Sequence, residues 1–287
     1  MPARPTPGTL HIVATPIGNL DDVTYRAVKV LGDVDLIAAE DTRRAAKLLT
    51  RYGITTPRTS FHEHNERQKA PQLLARLEHG ESIAVVSDAG TPLVSDPGSH
   101  LVRAALKKGL RVEAVPGPCA VITALVTSGF LEGSFSFVGF SPNRSKARKS
   151  WFSALRSETK PVVFFEPPHR LKASLADLKD TLGEREIAVC RELTKVHEES
   201  ISGRVSEVLE RLPPARGELT IVIKPQAGQK LVPPALPEGP QLIKEFGHIT
   251  ENGLGRRPAI RKLASRYGIS SRRIYAALEK ARTVSVK

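Results

Sequence analysis

Several features that define common protein classes are missing from this 287-residue chain. No apolar run approaches the ~20 residues that a membrane-spanning helix needs, so no contact with a membrane is expected. The first residues, 1–7, lack the apolar core of a signal peptide, which predicts a cytoplasmic protein. Because the chain has only two cysteines, Cys119 and Cys190, we expect two free thiols rather than a disulfide framework.

The chain also lacks the best-known nucleotide-binding and hydrolase motifs. It contains no G-x-G-x-x-G fingerprint and no G-x-x-x-x-G-K-[ST] loop, which argues against a NAD enzyme and a common nucleoside triphosphatase. It has no G-x-S-x-G nucleophile elbow. No Cys/His set has the spacing of a zinc site, and we interpret His62-Glu63-His64 as a polar loop, so no metal is expected.

Negative charge is scarce relative to positive charge. The chain has 43 Lys and Arg against 30 Asp and Glu, a formal net charge of +13. Ten of the basic residues and only two Glu lie in residues 251–287, and a second basic cluster lies at residues 144–149. Clustered positive charge is typical of proteins that contact nucleic-acid phosphates, although a solvated basic surface is the alternative.

Strand-like and helix-like segments alternate along the first part of the chain, which predicts βαβ units and a parallel sheet. The expected strands there are residues 10–14, 35–39, 59–61, 83–87 and 111–115. Strands dominate the second part, where a mixed α/β domain is expected. Those strands are residues 136–140, 161–165, 186–190 and 219–223.

The expected fold class is therefore α/β, with two α/β domains and a small helical extension. We predict the N-terminal domain over residues 8–120 and the second domain over 121–226. A linker rich in Pro and Gly is predicted over 227–245, followed by a basic RNA-binding extension over 246–287. In the extension, two helices around Gly268 resemble a helix-turn-helix, and a helical hairpin packed on its own domain is the alternative.

Turn motifs follow several of the predicted strands. The loop at residues 87–98, SDAGTPLVSDPG, contains two Gly, two Pro and two Asp, and it has no basic residue. Backbone with so few side chains lets a ligand approach the main chain closely. Because ligands of open α/β sheets bind outside the carboxyl ends of the strands, four such motifs should line one crevice, and a fifth should close it. The other four motifs are TPIGNL (15–20), EDTR (40–43), VPGP (115–118) and RELTK (191–195).

With SFHEHNE at residues 60–66, these motifs make the chain resemble the tetrapyrrole methylase family, most closely its members that 2′-O-methylate cytidine 1402 of 16S ribosomal RNA. The resemblance spans residues 8–225, and the basic tail also fits. It implies a homodimer in which each chain binds S-adenosylmethionine in a cleft between two α/β domains. It also implies the small ribosomal subunit as partner. The cofactor contacts that we expect are Pro16, Gly18, Asp88, Ala89, Gly90, Thr91 and Ala120.

The residue chemistry agrees with this resemblance. A sulfonium is cationic, so the loop at residues 87–98, with Asp88 and without Lys or Arg, suits it better than a basic loop does. A ribose 2′-OH is a poor nucleophile until its proton is drawn away. The catalytic candidates are Glu192, Lys195 and Glu40, with His62 and His64 also near the expected crevice. The sequence does not choose among them, and a bridge between domains is the alternative for residues 191–195.

The basic residues provide the expected RNA contacts, because Lys and Arg bind phosphates. For Arg43, an ion pair with Asp41 is the alternative. Two other functions stay open: methylation of a porphyrinoid, which would not need the basic tail, and RNA binding without catalysis. The expected RNA contacts are Arg43, Arg144, Lys146, Arg148, Arg256, Arg257, Arg272 and Arg273.

Overall fold

The structure is a computed structural model that describes residues 6–212, 217–225, 236–237, 239–251, 254–267 and 269–284. The chain divides into two compact units, Met1–Pro225 and Gln226–Lys287. Within its described residues the first unit contains two five-stranded sheets with their helices. The second unit is helical in the residues that are described.

The first sheet is parallel throughout, with the strand order β3-β2-β4-β1-β5. Its strands are β1 (Thr9–Val13), β2 (Leu36–Ala39), β3 (Arg58–Ser60), β4 (Ile83–Val86) and β5 (Arg111–Val115). All residues of β2 and β4 are buried, as expected for a parallel sheet that is covered on both faces. Each of the five predicted strands is confirmed within one or two residues.

Helices cover both faces of this sheet. One face packs on α1 (Tyr25–Asp33) and α2 (Thr42–Arg51), and the other packs on α3 (Glu66–Glu78) and α4 (Ser99–Lys107). The N-cap residue of α4, Gly98, has no side chain that could accept hydrogen bonds from the first backbone amides of the helix. Glu66 of α3 fills this role, because its Oε1 accepts hydrogen bonds from His100 N and Leu101 N at 3.0 and 3.3 Å. The helices therefore fix the strand ends from both sides.

The second sheet is mixed, with the order β6-β7-β10-β8-β9. Its strands are β6 (Ser136–Phe140), β7 (Val162–Glu166), β8 (Glu186–Arg191), β9 (Glu199–Arg204) and β10 (Leu219–Ile223). The edge strand β9 was not predicted from the sequence. Ile201 is the only large apolar residue of this strand and the only buried one, so the sequence shows no alternating apolar pattern there. Pairing with β8 decides the conformation of β9.

Helices also cover the second sheet, and its inner face meets the loops of the first sheet. The helices α6 (Ser145–Ala154), α7 (Leu171–Leu182) and α8 (Val205–Arg211) pack on one face. The helix α5 (Ala120–Ser128) packs on the other face, and Ile17 and Val94 from loops of the first sheet join the same apolar cluster. The loops at the carboxyl edge of the first sheet therefore lie beside the second sheet.

The second unit has its own apolar core. It consists of α9 (Gly239–Glu251), α10 (Arg256–Tyr267) and α11 (Ser271–Val284), which pack around residues such as Leu242, Leu263 and Ile274. The two helices expected in the extension are confirmed. The turn residue Gly268, which was expected between them, lies outside the described residues.

The predicted linker of residues 227–245 was too long. Residues 239–245 belong to α9, and Leu242 is fully buried in the core of the second unit. Pro240 made this segment resemble a loop, but proline is tolerated in the first turn of a helix. Residues 227–235 and 238 of the predicted linker lie outside the described residues.

Candidate active site

The loop at residues 87–98 is hydrogen-bonded to the TPIGNL motif. Thr15 N donates to Gly90 O at 2.8 Å, and Gly90 N donates back to Thr15 O at 3.0 Å. Gly90 has a φ of +79°, a conformation that favours glycine, and a Cβ there would lie 3.2 Å from Ile17 Cγ2. A side chain at Gly90 would therefore strain the pairing of the two motifs.

The same loop also contacts the motifs that follow β2 and β5. Asp88 N donates to Glu40 Oε2 at 3.1 Å, and Thr91 Oγ1 donates to Pro118 O at 3.1 Å. Thr91 is half-buried, and Ala89 lies between Asp88 and Thr91 in the chain. Ala120 is the first residue of α5, two residues after Pro118. The four motifs at the strand ends thus lie together, as the strand-end geometry predicted.

The fifth motif, RELTK, packs against the first. Asn19 N donates to Thr194 Oγ1 at 2.9 Å. A Cβ on Gly18 would lie 2.6 Å from Lys195 Cγ and 2.7 Å from Leu193 O, so the two loops are in close contact. The turn is strained, because Glu192 and Thr194 have φ of +49° and +68°. The fifth motif therefore joins the other four through its contact with TPIGNL.

An open groove of about 440 Å³ lies between these two motifs. Its volume is within the usual range for small-ligand sites. Lys195 lines the groove, and its Nζ donates to Glu192 Oε1 at 3.0 Å, so the Glu192 carboxylate is paired with a residue of the lining. Glu192 also lies against Gly217, before β10. The groove is lined by Gly18, Asn19, Leu20, Asp21, Arg51, Thr194, Lys195 and Val196.

Carboxylates dominate the electrostatics at the carboxyl edge of the first sheet. Burial raises the pKa of Glu40, although a hydrogen bond from the Asp88 backbone opposes this effect. Burial also raises the pKa of Asp96 to about 6, opposed by a hydrogen bond with Ser87 and assisted by the nearby charges of Glu40, Glu218 and Asp88. Four carboxyl groups, of Glu40, Asp88, Asp96 and Glu218, therefore lie close enough to influence one another, and their negative charge when ionised suits a cationic ligand.

Asp96 and Arg44, which interact with these carboxylates, were not predicted as site residues from the sequence. Asp96 lies in the same loop as Asp88, and loop composition does not tell which carboxylate is buried. Arg44 Nη1 lies 3.0 Å from Asp88 Oδ2 in an ion pair. The neighbouring Arg43 pairs with Asp41 instead, at 3.0 Å, and its side chain is 90% exposed. Only the helical geometry of α2 decides which arginine reaches the loop.

One carboxylate oxygen of Asp88 has no hydrogen-bond partner among the described residues. Its Oδ1 is buried and accepts no hydrogen bond from the described residues, whereas its Oδ2 pairs with Arg44. A small cavity of about 70 Å³ adjoins Asp88 and Pro16 and extends under α2. A buried acceptor without a partner costs free energy unless a ligand or water donates to it. Asp88 is therefore well placed to bind a donor group.

The predicted RNA contacts are a mixed set. Arg144 and Lys146 are exposed, as are Arg257, Arg272 and Arg273 in the second unit. Arg256 is also exposed, although it pairs with Glu279 at 2.6 Å and lies over the Tyr275 ring.

The prediction that Arg148 contacts RNA was wrong. Its guanidinium is buried and donates to Asp177 Oδ2 at 2.6 and 2.9 Å. It also donates to the carbonyl oxygens of Pro142 and Asn143, at 3.2 and 3.0 Å. These contacts occupy the donors that a phosphate would need, so Arg148 joins α6 to α7 and to the loop before α6. Arg144 and Arg148 are one helical turn apart, a spacing that predicts the same face for both, so the sequence did not indicate that Arg148 is buried.

The described residues contain neither a metal-binding cluster nor a membrane-spanning helix. No group of three or more His, Cys, Asp or Glu side chains in that part of the chain is arranged to hold a metal ion. No described helix is both long enough and apolar enough to cross a membrane.

A family model for tetrapyrrole (corrin/porphyrin) methylases matches residues 9–209. The chain belongs to the tetrapyrrole methylase family. The matched segment contains both sheets except β10, and all five strand-end motifs fall within it. The expected family and fold class are thus confirmed.

Two curated relatives of this tetrapyrrole methylase carry the same name, ribosomal RNA small subunit methyltransferase I. The protein from Halalkalibacterium halodurans is 40% identical over 275 residues, 95% of each chain. The protein from Pasteurella multocida is 41% identical over 273 residues, 93% of this chain and 95% of the relative. Both alignments extend well beyond the family segment.

A solved structure shows the same fold at low identity. It is a uroporphyrin-III C-methyltransferase from Thermus thermophilus in complex with S-adenosyl homocysteine, with a TM-score of 0.55 and 16% identity. The match covers 76% of this chain and 97% of that one. At this identity the likeness establishes the fold alone.

Proposed function

We propose that this chain transfers a methyl group from S-adenosylmethionine to the ribose 2′-OH of cytidine 1402 in 16S ribosomal RNA. The observation that carries the proposal is the 40–41% identity to ribosomal RNA small subunit methyltransferases I over at least 93% of the chain. The fold neighbour that modifies a porphyrinoid is only 16% identical. The sequence similarity therefore favours an RNA substrate over a porphyrinoid.

The residues at the carboxyl edge of the first sheet fit S-adenosylmethionine. The buried Asp88 Oδ1 needs a donor, and the surrounding carboxylates of Glu40 and Asp96 suit a cation. Gly90 allows close approach to the backbone because it has no side chain. We expect Pro16, Gly18, Ala89, Thr91 and Ala120 to complete the cofactor contacts. When bound, S-adenosylmethionine supplies a methyl group activated by its sulfonium.

The chain itself must orient the ribose and accept its proton. Glu192 offers a carboxylate next to Lys195, which lines the open groove and donates from its Nζ to Glu192 Oε1 at 3.0 Å. We assign proton acceptance to Glu192 and orientation of a ribose or phosphate oxygen to Lys195. Glu40, which is joined to Asp88, is the alternative acceptor. Correct alignment of the reacting groups alone contributes about 7–11 kcal/mol to such a reaction.

The RNA contacts belong to the same proposal. We expect the exposed Arg43, Arg144 and Lys146 of the first unit to contact flanking phosphates, and we expect the same of the exposed arginines of the second unit. A homodimer and a cytoplasmic location remain predictions.

The test is methyl transfer from labelled S-adenosylmethionine to small ribosomal subunits that lack this methylation. We expect label at the 2′-oxygen of cytidine 1402. We also expect an Asp88→Ala variant to bind the cofactor about 10- to 100-fold more weakly, since a hydrogen bond to a charged group contributes ~1.5–3 kcal/mol.

The matched control is Asp33→Ala, which removes an exposed carboxylate at the end of α1. It should leave the dissociation constant unchanged. Failure of the wild-type chain to label the subunit would refute the proposed reaction. An unchanged constant for Asp88→Ala would remove Asp88 from the cofactor site.

A further inference from the structure

The exposed face of α2 carries a row of cations. Arg44, Lys47 and Arg51 are spaced by three and four residues, so they lie on one side of the helix. All three are exposed, and the opposite side of α2 buries Leu48 and Leu49 against the first sheet. We call Arg44, Lys47 and Arg51 the α2 stripe. The helix contains no acidic residue that would neutralise it.

The α2 stripe runs between the two parts of the candidate active site. At its N-terminal end Arg44 pairs with Asp88 of the 87–98 loop, at 3.0 Å. At its C-terminal end Arg51 lines the open groove and lies 3.5 Å from Asp21. The Tyr52 hydroxyl donates to Leu20 O at 2.9 Å and so fastens this end of the helix to the TPIGNL motif.

The charge of the α2 stripe is largely available to a ligand. Among the residues that the structure describes, Lys47 makes no ion pair. The Arg51 side chain is 60% exposed and its partner Asp21 is 72% exposed, so their ion pair is weak. Neighbouring Cβ atoms in such a row are about 5–6 Å apart, which lets one phosphate backbone follow it.

We propose that the α2 stripe is the docking surface for the RNA strand that flanks the target nucleotide. The strand would pass along α2 by phosphate contacts while the target ribose enters the open groove beside Lys195, which pairs with Glu192. This inference rests on the proposed function, because it takes RNA as the substrate of that groove. It adds Lys47 and Arg51 as RNA contacts, which no sequence motif indicated.

The experiment compares two charge-neutralised double variants of the full chain. Lys47→Gln/Arg51→Gln changes the α2 stripe. Arg103→Gln/Lys107→Gln is the matched control, because these exposed residues of α4 carry the same charge on the other face of the same sheet. Affinity for undermethylated small subunits is measured at several salt concentrations, together with affinity for S-adenosylmethionine.

We expect the α2 variant to bind subunits at least 10-fold more weakly at low salt. Its log–log salt slope should fall by about 1.4, at ~0.7 per phosphate contact on a single strand. Its cofactor affinity and the behaviour of the α4 control should stay at the wild-type level. Equal loss in both variants, no loss in either, or a parallel loss of cofactor affinity would overturn the inference.

The binding measurement does not depend on methyl transfer. If the wild-type chain binds subunits through the α2 stripe but transfers no methyl group, the proposed reaction fails and the docking surface stands. If transfer occurs and the α2 variant binds normally, the docking surface fails and the proposed reaction stands.

Discussion

At the scale of single residues, burial separates side chains that the sequence presents as equivalent. Asp88 and Asp96 stand in one loop, yet Asp88 pairs with Arg44 whereas burial raises the pKa of Asp96 to about 6. Arg144 and Arg148 stand in one basic cluster, yet only Arg144 is exposed. The sequence indicated that these loops and clusters carry functional charges. It did not indicate which side chains are buried, because burial depends on elements that are distant in the chain.

The raised pKa of Asp96 makes stability depend on pH. An unfolded chain ionises this carboxyl near pH 3.8, the folded chain only near pH 6, so folding stability is lost as pH rises through that window. Asp96→Asn removes the ionisation. We therefore expect this variant to unfold at a higher temperature than wild type above pH 6, with the difference vanishing below about pH 4.

Thermal unfolding of Asp96→Asn at pH 4, 5, 6, 7 and 8 measures this effect, with Asp33→Asn as an exposed control. A constant difference across the range would show that Asp96 is not held in its neutral form by the fold.

At the scale of secondary-structure elements, the site depends on contact between loops. The RELTK turn belongs to the second sheet and the TPIGNL motif to the first, and Gly18 makes their close approach possible. Each motif was recognised in the sequence. Their contact was only an expectation from strand-end geometry, since loops 175 residues apart meet through tertiary packing.

Substitution Gly18→Ala tests this contact. The added Cβ would lie 2.7 Å from Leu193 O. Because Leu193 O is a backbone atom, it can move only if the loop moves with it, so the two motifs must separate. We expect the free energy of unfolding to fall by ~1–3 kcal/mol, as for other overpacked sites, with a loss of methyl transfer.

Gly32→Ala is the matched control, because a Cβ there meets nothing within 4 Å and the residue lies in a helix. It should be neutral or raise stability by about 0.5–1 kcal/mol. Urea denaturation of both variants gives the comparison. A Gly18→Ala chain as stable and as active as Gly32→Ala would mean that the motifs need no close contact.

At the scale of the whole molecule, the chain consists of two units with separate cores. The helix α9 belongs to the second unit, since Leu242 and Phe246 lie in its core with residues of α10 and α11. A deletion that starts inside the second unit would leave this core incomplete. The boundary given by the structure, at Pro225, is therefore the appropriate place to truncate.

Removal of residues 226–287 should weaken binding to small subunits by at least 10-fold and leave cofactor affinity near wild type. The reason is that this unit carries exposed Arg257, Arg272 and Arg273, whereas the proposed cofactor contacts all belong to the first unit. Titration calorimetry with S-adenosylmethionine and filter binding of subunits measure the two affinities.

Neutralising those three arginines to Gln in the full chain provides the control for folding. It should reproduce most of the loss in RNA affinity without changing the apolar core of the second unit. Equal loss of RNA and cofactor affinity in the truncated chain would instead assign the second unit a role in folding the first.

The fold class, the order of most elements and the five motifs could be predicted from the sequence. These properties depend on local patterns: apolar runs, helical spacing, and Gly and Pro at strand ends. Membership of the tetrapyrrole methylase family was also evident from the motifs. The edge strand β9 and the helix α9 were not, because a polar edge strand and a proline in a first turn have no distinctive local pattern.

Which residues are in contact became clear from the three-dimensional structure alone. It paired Arg44 rather than Arg43 with Asp88, buried Arg148 against Asp177, and placed Arg51 at the groove. Each of these outcomes depends on the direction of a side chain on a helix and on what packs opposite it. Those quantities are set by contacts between segments far apart in the chain, so no local pattern in the sequence contains them.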